Sequence, residues 1–179
     1  MRLFITGKPG TGKTTLILKT VEELRKRGYR VGGMVTQEVR ERGKRVGFKI
    51  KALDTGEEGI LAWVGEGHPK VGRYAVNIHD LEKVGVGAIR RAIGEADLIV
   101  IDEIGAMELK SGEFRNAVEE AINSEKPLLA VLHRRWVDKF RGRGRIYTLS
   151  HENREAVRKE IMEMLSEALK GISNLKKGK

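Results

Sequence analysis

Residues 7–14 read Gly7-Lys8-Pro9-Gly10-Thr11-Gly12-Lys13-Thr14, and this octet constrains the fold more than any other stretch of the chain. It fits G-x-x-x-x-G-K-[ST], a spacing that works where a buried strand ends at the first glycine and a helix starts at the lysine. The glycines let the backbone curl into a concave loop with its N–H groups turned inward toward phosphate oxygens. The helix behind adds unpaired amides and the positive end of its dipole. Both flanks are present. Arg2–Thr6 is a short apolar run, and Leu16, Ile17, Val21 and Leu24 recur at helical spacing from Lys13 to Arg27, stopped by Gly28. Lys13 is thereby aimed at the β- and γ-phosphates and the Thr14 hydroxyl at Mg²⁺. Gly7, Lys8, Pro9, Gly10, Thr11, Gly12 and Thr15 complete the expected nucleotide-binding loop.

The rest of the chain alternates strands with helices. Val31–Thr36 reads as a second strand. Arg45–Leu53 and Gly59–Val64, joined by Asp54-Thr55-Gly56, read as a hairpin. Arg73–Ile78 is a further strand, followed by helical turns capped by Asp80 and running to Gly94. Leu98–Ile101 and Leu128–Leu132 are unbroken aliphatic runs, the pattern of strands buried on both faces. Phe114–Asn123 is helical and Arg145–Leu149 a short strand. A long last helix is expected after Ser150 as its cap, with Val157, Ile161, Leu165 and Leu169 on one face and Gly171 as its stop. The expectation is one α/β domain over residues 1–171, a mainly parallel sheet flanked by helices with a β-hairpin insertion, and a basic tail over 172–179.

A second signal partners the loop. Leu98, Ile99, Val100 and Ile101 lead into Asp102, Glu103, Ile104 and Gly105, which places two carboxylates at the carboxyl end of a buried strand, where open α/β sheets bind ligands. Asp102 is assigned with Thr14 to the metal, and Glu103 to the water that attacks the γ-phosphate. Asp102 to Gly105 also fits D-x-x-G, but the chain has no [NT]-K-x-D motif for reading guanine, which disfavours a GTP-specific switch. His133, Arg134 and Arg135 follow a buried strand, so Arg134 is a candidate for extra positive charge near the γ-phosphate. Arg141, Arg143 and Arg145, set among glycines, are either a closing lid or a solvated turn. Thr36, Glu38 and Arg40 approach from the side. His68 and His79 carry no ligand spacing.

Composition narrows the field. The chain of 179 residues has no cysteine, 40% hydrophobic residues, and 35 Lys+Arg against 25 Asp+Glu, a net charge of +10. Disulfides, thiolate metal sites and thiol catalysis are excluded. No apolar run nears the roughly 18 residues that span a bilayer, and Met1 to Gly7 turns polar too early for a leader, so a soluble cytoplasmic protein is expected. One Gln, five Asn and 34% charged residues fit a heat-adapted chain. The positive charge clusters in 40–51 and 134–145, each with six basic residues and one acid. Nucleic acid, anionic membranes or phosphorylated small molecules are all candidate partners for such clusters.

With these segments in hand, the chain resembles the small nucleoside-triphosphatase family of thermophiles (THEP-type), which includes the human cancer-related nucleoside-triphosphatase. The likeness runs through the loop to Thr15, Gly32-Gly33-Met34-Val35-Thr36-Gln37-Glu38-Val39-Arg40, Gly43-Lys44-Arg45-Val46-Gly47-Phe48, Asp102-Glu103-Ile104-Gly105-Ala106-Met107-Glu108-Leu109 and His133-Arg134-Arg135. Departures are small: the family often has Phe at the place of Met34, and Pro or Lys at that of Ala106. The resemblance implies a RecA-like core and Mg²⁺-dependent hydrolysis of nucleoside triphosphates (ATP, GTP, CTP and UTP) to diphosphates, with little base discrimination. A small-molecule kinase, a nucleic-acid-stimulated ATPase or a nucleotide sensor would use the same loop. Weak or absent nucleic-acid binding, no membrane partner, and a monomer or small homo-oligomer complete the expectation.

Overall fold

The computed structural model describes residues 1–178. Among them nine strands form one sheet: β1 (Arg2–Gly7), β2 (Val31–Glu41), β3 (Lys44–Ala52), β4 (Glu58–Val64), β5 (Lys70–Val71), β6 (Tyr74–Val76), β7 (Leu98–Ile104), β8 (Leu128–Leu132) and β9 (Arg145–Leu149). The spatial order is β5-β6-β4-β3-β2-β7-β8-β1-β9. From β2 to β9 every pairing is parallel. One strand, β8, separates the strand that feeds the phosphate loop from the strand that carries Asp102, the order expected of a RecA-like core.

The helices are α1 (Lys13–Lys26), α2 (Ile78–Asp80), α3 (Gly87–Glu95), α4 (Gly112–Asn123), α5 (Val137–Phe140) and α6 (Arg154–Lys177). Alternation along the strands sends residues to two cores. Leu3, Ile5, Val100 and Val131 pack with Leu16 and Ile17 of α1 and with Ile161 and Leu165 of α6. Phe4, Ile99, Ile101 and Ala130 pack on the opposite face with Ile89 of α3 and Phe114 of α4. The parallel strands are therefore covered on both sides, as their unbroken apolar runs require. Each fully buried Leu, Ile or Phe here is worth roughly 1.5–3 kcal/mol against exposure. At Gly33 (φ +106°) an added Cβ would lie 1.9 Å from the Val100 carbonyl oxygen. No side chain fits there, so β2 sits tight against β7 next to the acids.

Four local readings change. β2 does not end at Thr36 but runs to Glu41 and pairs antiparallel with β3, turning at Arg42 (φ +51°) and Gly43 (φ +76°). Two positive φ angles match the twist of a two-residue hairpin. The β3–β4 hairpin is present, but it is part of a larger antiparallel extension with β6 and β5, and the strand expected over 73–78 spans only Tyr74–Val76. Asn77, not Asp80, caps the next helix, accepting from the Asp80 amide at 3.0 Å. Asp80 instead accepts from the Ile60 amide at 2.8 Å, and a π-helical turn, Leu81–Val86, carries the chain into α3.

The last helix differs at both ends. Ser150 and Asn153 bond each other's backbone amides at 2.8 and 3.2 Å, closing a turn that delays the helix to Arg154. Gly171 does not stop it, because a glycine inside a helix costs only about 1 kcal/mol. Lys176 and Lys177 form its last turn, where the dipole favours cations. Of the stretch 172–179, Lys179 lies outside the described residues.

Candidate active site

The phosphate loop sits at the carboxyl end of the parallel strands. Gly12, in the left-handed region at φ 92°, starts α1 with no side-chain cap and no acid in the first turn. The amides of that turn are thus left for a ligand. Lys13 Nζ donates to the carbonyls of Gly7 and Lys8, both at 2.9 Å, and the Thr11 hydroxyl donates to the Lys8 carbonyl at 2.9 Å. The lysine therefore braces the loop it belongs to. Burial lowers the Lys13 pKa, and Glu103 and Asp102 oppose that shift.

Below the lysine lie the carboxylates. Thr14 Oγ1 donates to Asp102 Oδ2 at 2.9 Å, across 88 residues of chain and from the far side of β8. Burial pushes Asp102 up to about 7, with the Glu103 charge adding and Thr14 and Lys13 opposing. Glu103 is also raised by burial, against His133 and Lys13. Glu108, buried to 3% exposure, is raised well above its ordinary range by burial and then by Glu103, although backbone amides bond it. Gly105 makes the cluster possible: a Cβ there would meet Glu103 Oε1 at 2.6 Å and Glu108 Oε2 at 3.0 Å.

Three acidic side chains thus crowd around the one lysine at this end of the sheet. Among the described residues no three acidic or imidazole side chains converge into a complete cation cage. Thr14 and Asp102 offer two hard oxygen donors, which suits a small divalent cation that takes its other ligands from phosphate and water. The residues present fit such an ion.

Gly7, Pro9, Gly10, Lys13, Thr14, Asp102 and Glu103 line one side of a cleft of about 730 Å³, and His133 and Arg134 also reach it. Lys8 is exposed beside it and Thr11 is buried under it. Gly12 and Thr15 open instead into a separate recess of about 260 Å³ with Lys19, Arg154 and Arg158. Leu98, Ile99, Val100, Ile101 and Ile104 are fully buried; they hold Asp102 in place and lie away from the cleft. The lid reading of the arginine loop fails. Arg141 pairs with Asp138 at 2.8 Å, Arg143 with Glu119 at 2.6 Å and Arg145 with Glu160 at 2.6 Å, all away from the cleft, so the loop is pinned to its own surroundings. The antiparallel extension supplies the opposite wall through Gln37, Glu38, Arg45, Phe48 and Lys49. Of these only Glu38 stands among the sequence-based candidates; the others lie on a strand pair whose long-range register no local spacing reveals.

This geometry agrees with the comparisons. The model of the NTPase family matches residues 2–162. The chain belongs to that family. It is 59% identical to the nucleoside-triphosphatase THEP1 of Methanocaldococcus jannaschii, over 95% of this chain and 100% of that one. The nucleoside-triphosphatase THEP1 of Pyrococcus abyssi is 52% identical over 94% of both chains. Among solved structures, THEP1 from Aquifex aeolicus superposes with a TM-score of 0.82 at 34% identity, covering 92% of this chain and 99% of that one. A human cancer-related nucleoside triphosphatase does so with a TM-score of 0.75 at 34% identity, covering 92% and 96%. The family resemblance, the enzyme class and the fold class expected from the sequence therefore stand. No helix among the described residues is long and apolar enough to cross a membrane.

Proposed function

We propose that this NTPase-family enzyme hydrolyses ATP, GTP, CTP and UTP to the diphosphates in a Mg²⁺-dependent reaction with little base discrimination. The observation that carries the reading is the Thr14–Asp102 hydrogen bond at 2.9 Å directly under the braced Lys13, with Glu103 as its neighbour. Thr14 and Asp102 would hold Mg²⁺, which when bound neutralises charge on the phosphates. The loop amides and the first turn of α1 bind the phosphate oxygens. Glu103 accepts the proton of the attacking water as the new P–O bond forms, and its burial-raised pKa makes it the stronger base. The bond to the β-phosphate oxygen breaks, and Lys13 offsets the charge left on the diphosphate. Arg134, which follows β8 beside the loop, adds positive charge to the same end of the cleft. Low base discrimination is supported by the second recess, which is lined by the long side chains of Lys19, Arg154 and Arg158 and by no aromatic ring. Polynucleotide is at most a weak, salt-sensitive partner in this reading.

The test is phosphate release from the four triphosphates with Mg²⁺ and with a chelator. All four should turn over within about tenfold of one another, the spread expected when contacts to the base are loose, and the chelator should abolish release. Activity confined to one base, or unaffected by the chelator, overturns the reading.

A further inference from the structure

Lys13 and Asp102 are each held by hydrogen bonds; Glu103 is not. In the ladder between β7 and β8, Asp102 pairs with Val131 and Ile104 with Leu132. Glu103 is thus the extra residue of a bulge, a device that re-aims a side chain. Among the described residues no hydrogen bond holds its carboxylate; burial and the charges of His133 and Lys13 act on it. A general base needs its oxygen within hydrogen-bond reach of the water, and the bulge alone does not set that place. The turn after β7 supplies the missing support. A Cβ added at Gly105 would lie 2.6 Å from Oε1 of Glu103 and 3.0 Å from Oε2 of Glu108, so the two carboxyl groups flank one glycine. Glu108 is anchored where Glu103 is not. It is 3% exposed, and its carboxyl accepts from the amides of Gly105 and of Glu108 itself. The turn is also fastened from outside. The Leu109 amide donates to the Gly105 carbonyl at 3.0 Å and the Ser111 amide to the Glu108 carbonyl at 3.2 Å. Arg115 of α4 donates to the Leu109 carbonyl at 2.6 Å, and the Ser111 hydroxyl to Glu82 at 2.7 Å. An apolar side chain would fill the place of Glu108 without the cost of burying an acid.

We propose that Glu108 is a positioning residue for the hydrolytic step: its carboxyl group, tied to the Gly105 amide, holds the turn against Glu103 and keeps the Glu103 carboxylate directed into the cleft. Glu108 acts only through Glu103 and takes no proton from the water. The inference rests on the reading of Glu103 as the base.

The experiment pairs single-turnover hydrolysis of ATP with the dissociation constant of β,γ-imido-ATP for Glu108→Ala, Glu108→Gln, Gly105→Ala, Glu103→Gln and the double variant Glu103→Gln/Glu108→Ala. Glu108→Ala should slow the step by about 10–100-fold, as a displacement of order 1 Å does, with the affinity for the analogue within about twofold of wild type. Glu108→Gln keeps the length and one acceptor oxygen, and should recover the rate to within about threefold of wild type. In the Glu103→Gln background, Glu108→Ala should cost less than about twofold more, because losses that act through one group do not add. Gly105→Ala puts a methyl group between the two carboxyls and should repeat the Glu108→Ala loss; it decides the matter if Glu108→Ala does not fold. Full multiplication of the two losses in the double variant overturns the proposal. So does a Glu108→Ala or Gly105→Ala rate within about twofold of wild type. Glu108→Gln as slow as Glu108→Ala overturns it too, since the step would then need the ionisable group rather than the anchor. A Glu103→Gln rate near wild type is a different failure: it removes Glu103 as the base, and the role of Glu108 falls with it.

Discussion

The stretches 40–51 and 134–145 have the same charge inventory, six basic residues and one acid each, and opposite fates. In the second, Arg141, Arg143 and Arg145 each hold a carboxylate, Lys139 rests over the Trp136 ring at 4.8 Å, and only Arg134 reaches the cleft. In the first, Arg40 and Arg45 share the single partner Glu38, and Arg45, Lys49 and Lys51 line the cleft. A basic cluster is therefore not yet a binding surface. What matters is whether acids from packed elements reach it first: α4 and α6 bring Glu119 and Glu160 to the second stretch, while among the described residues the ion pairs of the first stretch all fall on Glu38.

If charges facing the cleft act and paired charges do not, the largest effects fall at the loop and the acids. Glu103→Gln should slow the single-turnover step by about 10²–10⁴, the usual loss on removing a general base, with triphosphate affinity held or slightly raised. Asp102→Asn should instead weaken nucleotide binding and Mg²⁺ dependence together. If Glu103→Gln stays within about threefold of wild type, Glu108 replaces Glu103 as the proposed base. Lys13→Ala should lose about 10²–10³ in rate and bind triphosphate more weakly, since no other cation is tied into the loop; near wild-type hydrolysis would mean that the surrounding basic residues carry phosphate binding.

Smaller effects sharpen the contrast inside one stretch. Arg134→Ala should lower kcat/KM by about tenfold. Arg143→Ala should leave it unchanged and cost at most about 1 kcal/mol in a denaturation curve, as exposed ion pairs do. Equal losses in the two variants would erase the distinction drawn above. Smallest is the response to nucleic acid. At about 150 mM salt, where screening acts beyond ~8 Å, polynucleotide should not stimulate hydrolysis, and any binding should fade steeply with added salt. Several-fold stimulation would make the unpaired hairpin cations a polynucleotide track.

What was legible in the chain was whatever a single local pattern encodes. The loop octet, the helix from Lys13 and the apolar runs at Leu98 and Leu128 each state their own structure, since a strand buried on both faces has only one way to look. The facing acids were legible because they end such a strand. The far wall was not. Thr36, Glu38 and Arg40 read as residues beside the nucleotide, but the strand reads as ending at Thr36, because a strand paired outside the core tolerates polar residues and loses its alternation signal. Arg45 and Phe48 reach the cleft only through the register Glu38↔Phe48, a contact between segments that propensity does not report. Asp80 and Ser150 were the right residue types for caps, and Asn77 and Asn153 beside them took part of the role by geometry that composition cannot rank.

The bare start of α1 has one more consequence. A side chain capping that end would add about 1 kcal/mol of folding free energy; with Gly12 there and no acid in the first turn, that contribution is left to whatever fills the loop. An occupant at a hundredfold its dissociation constant adds about 2.7 kcal/mol of stability, so a thermal melt should move upward as a phosphate-bearing ligand fills the loop.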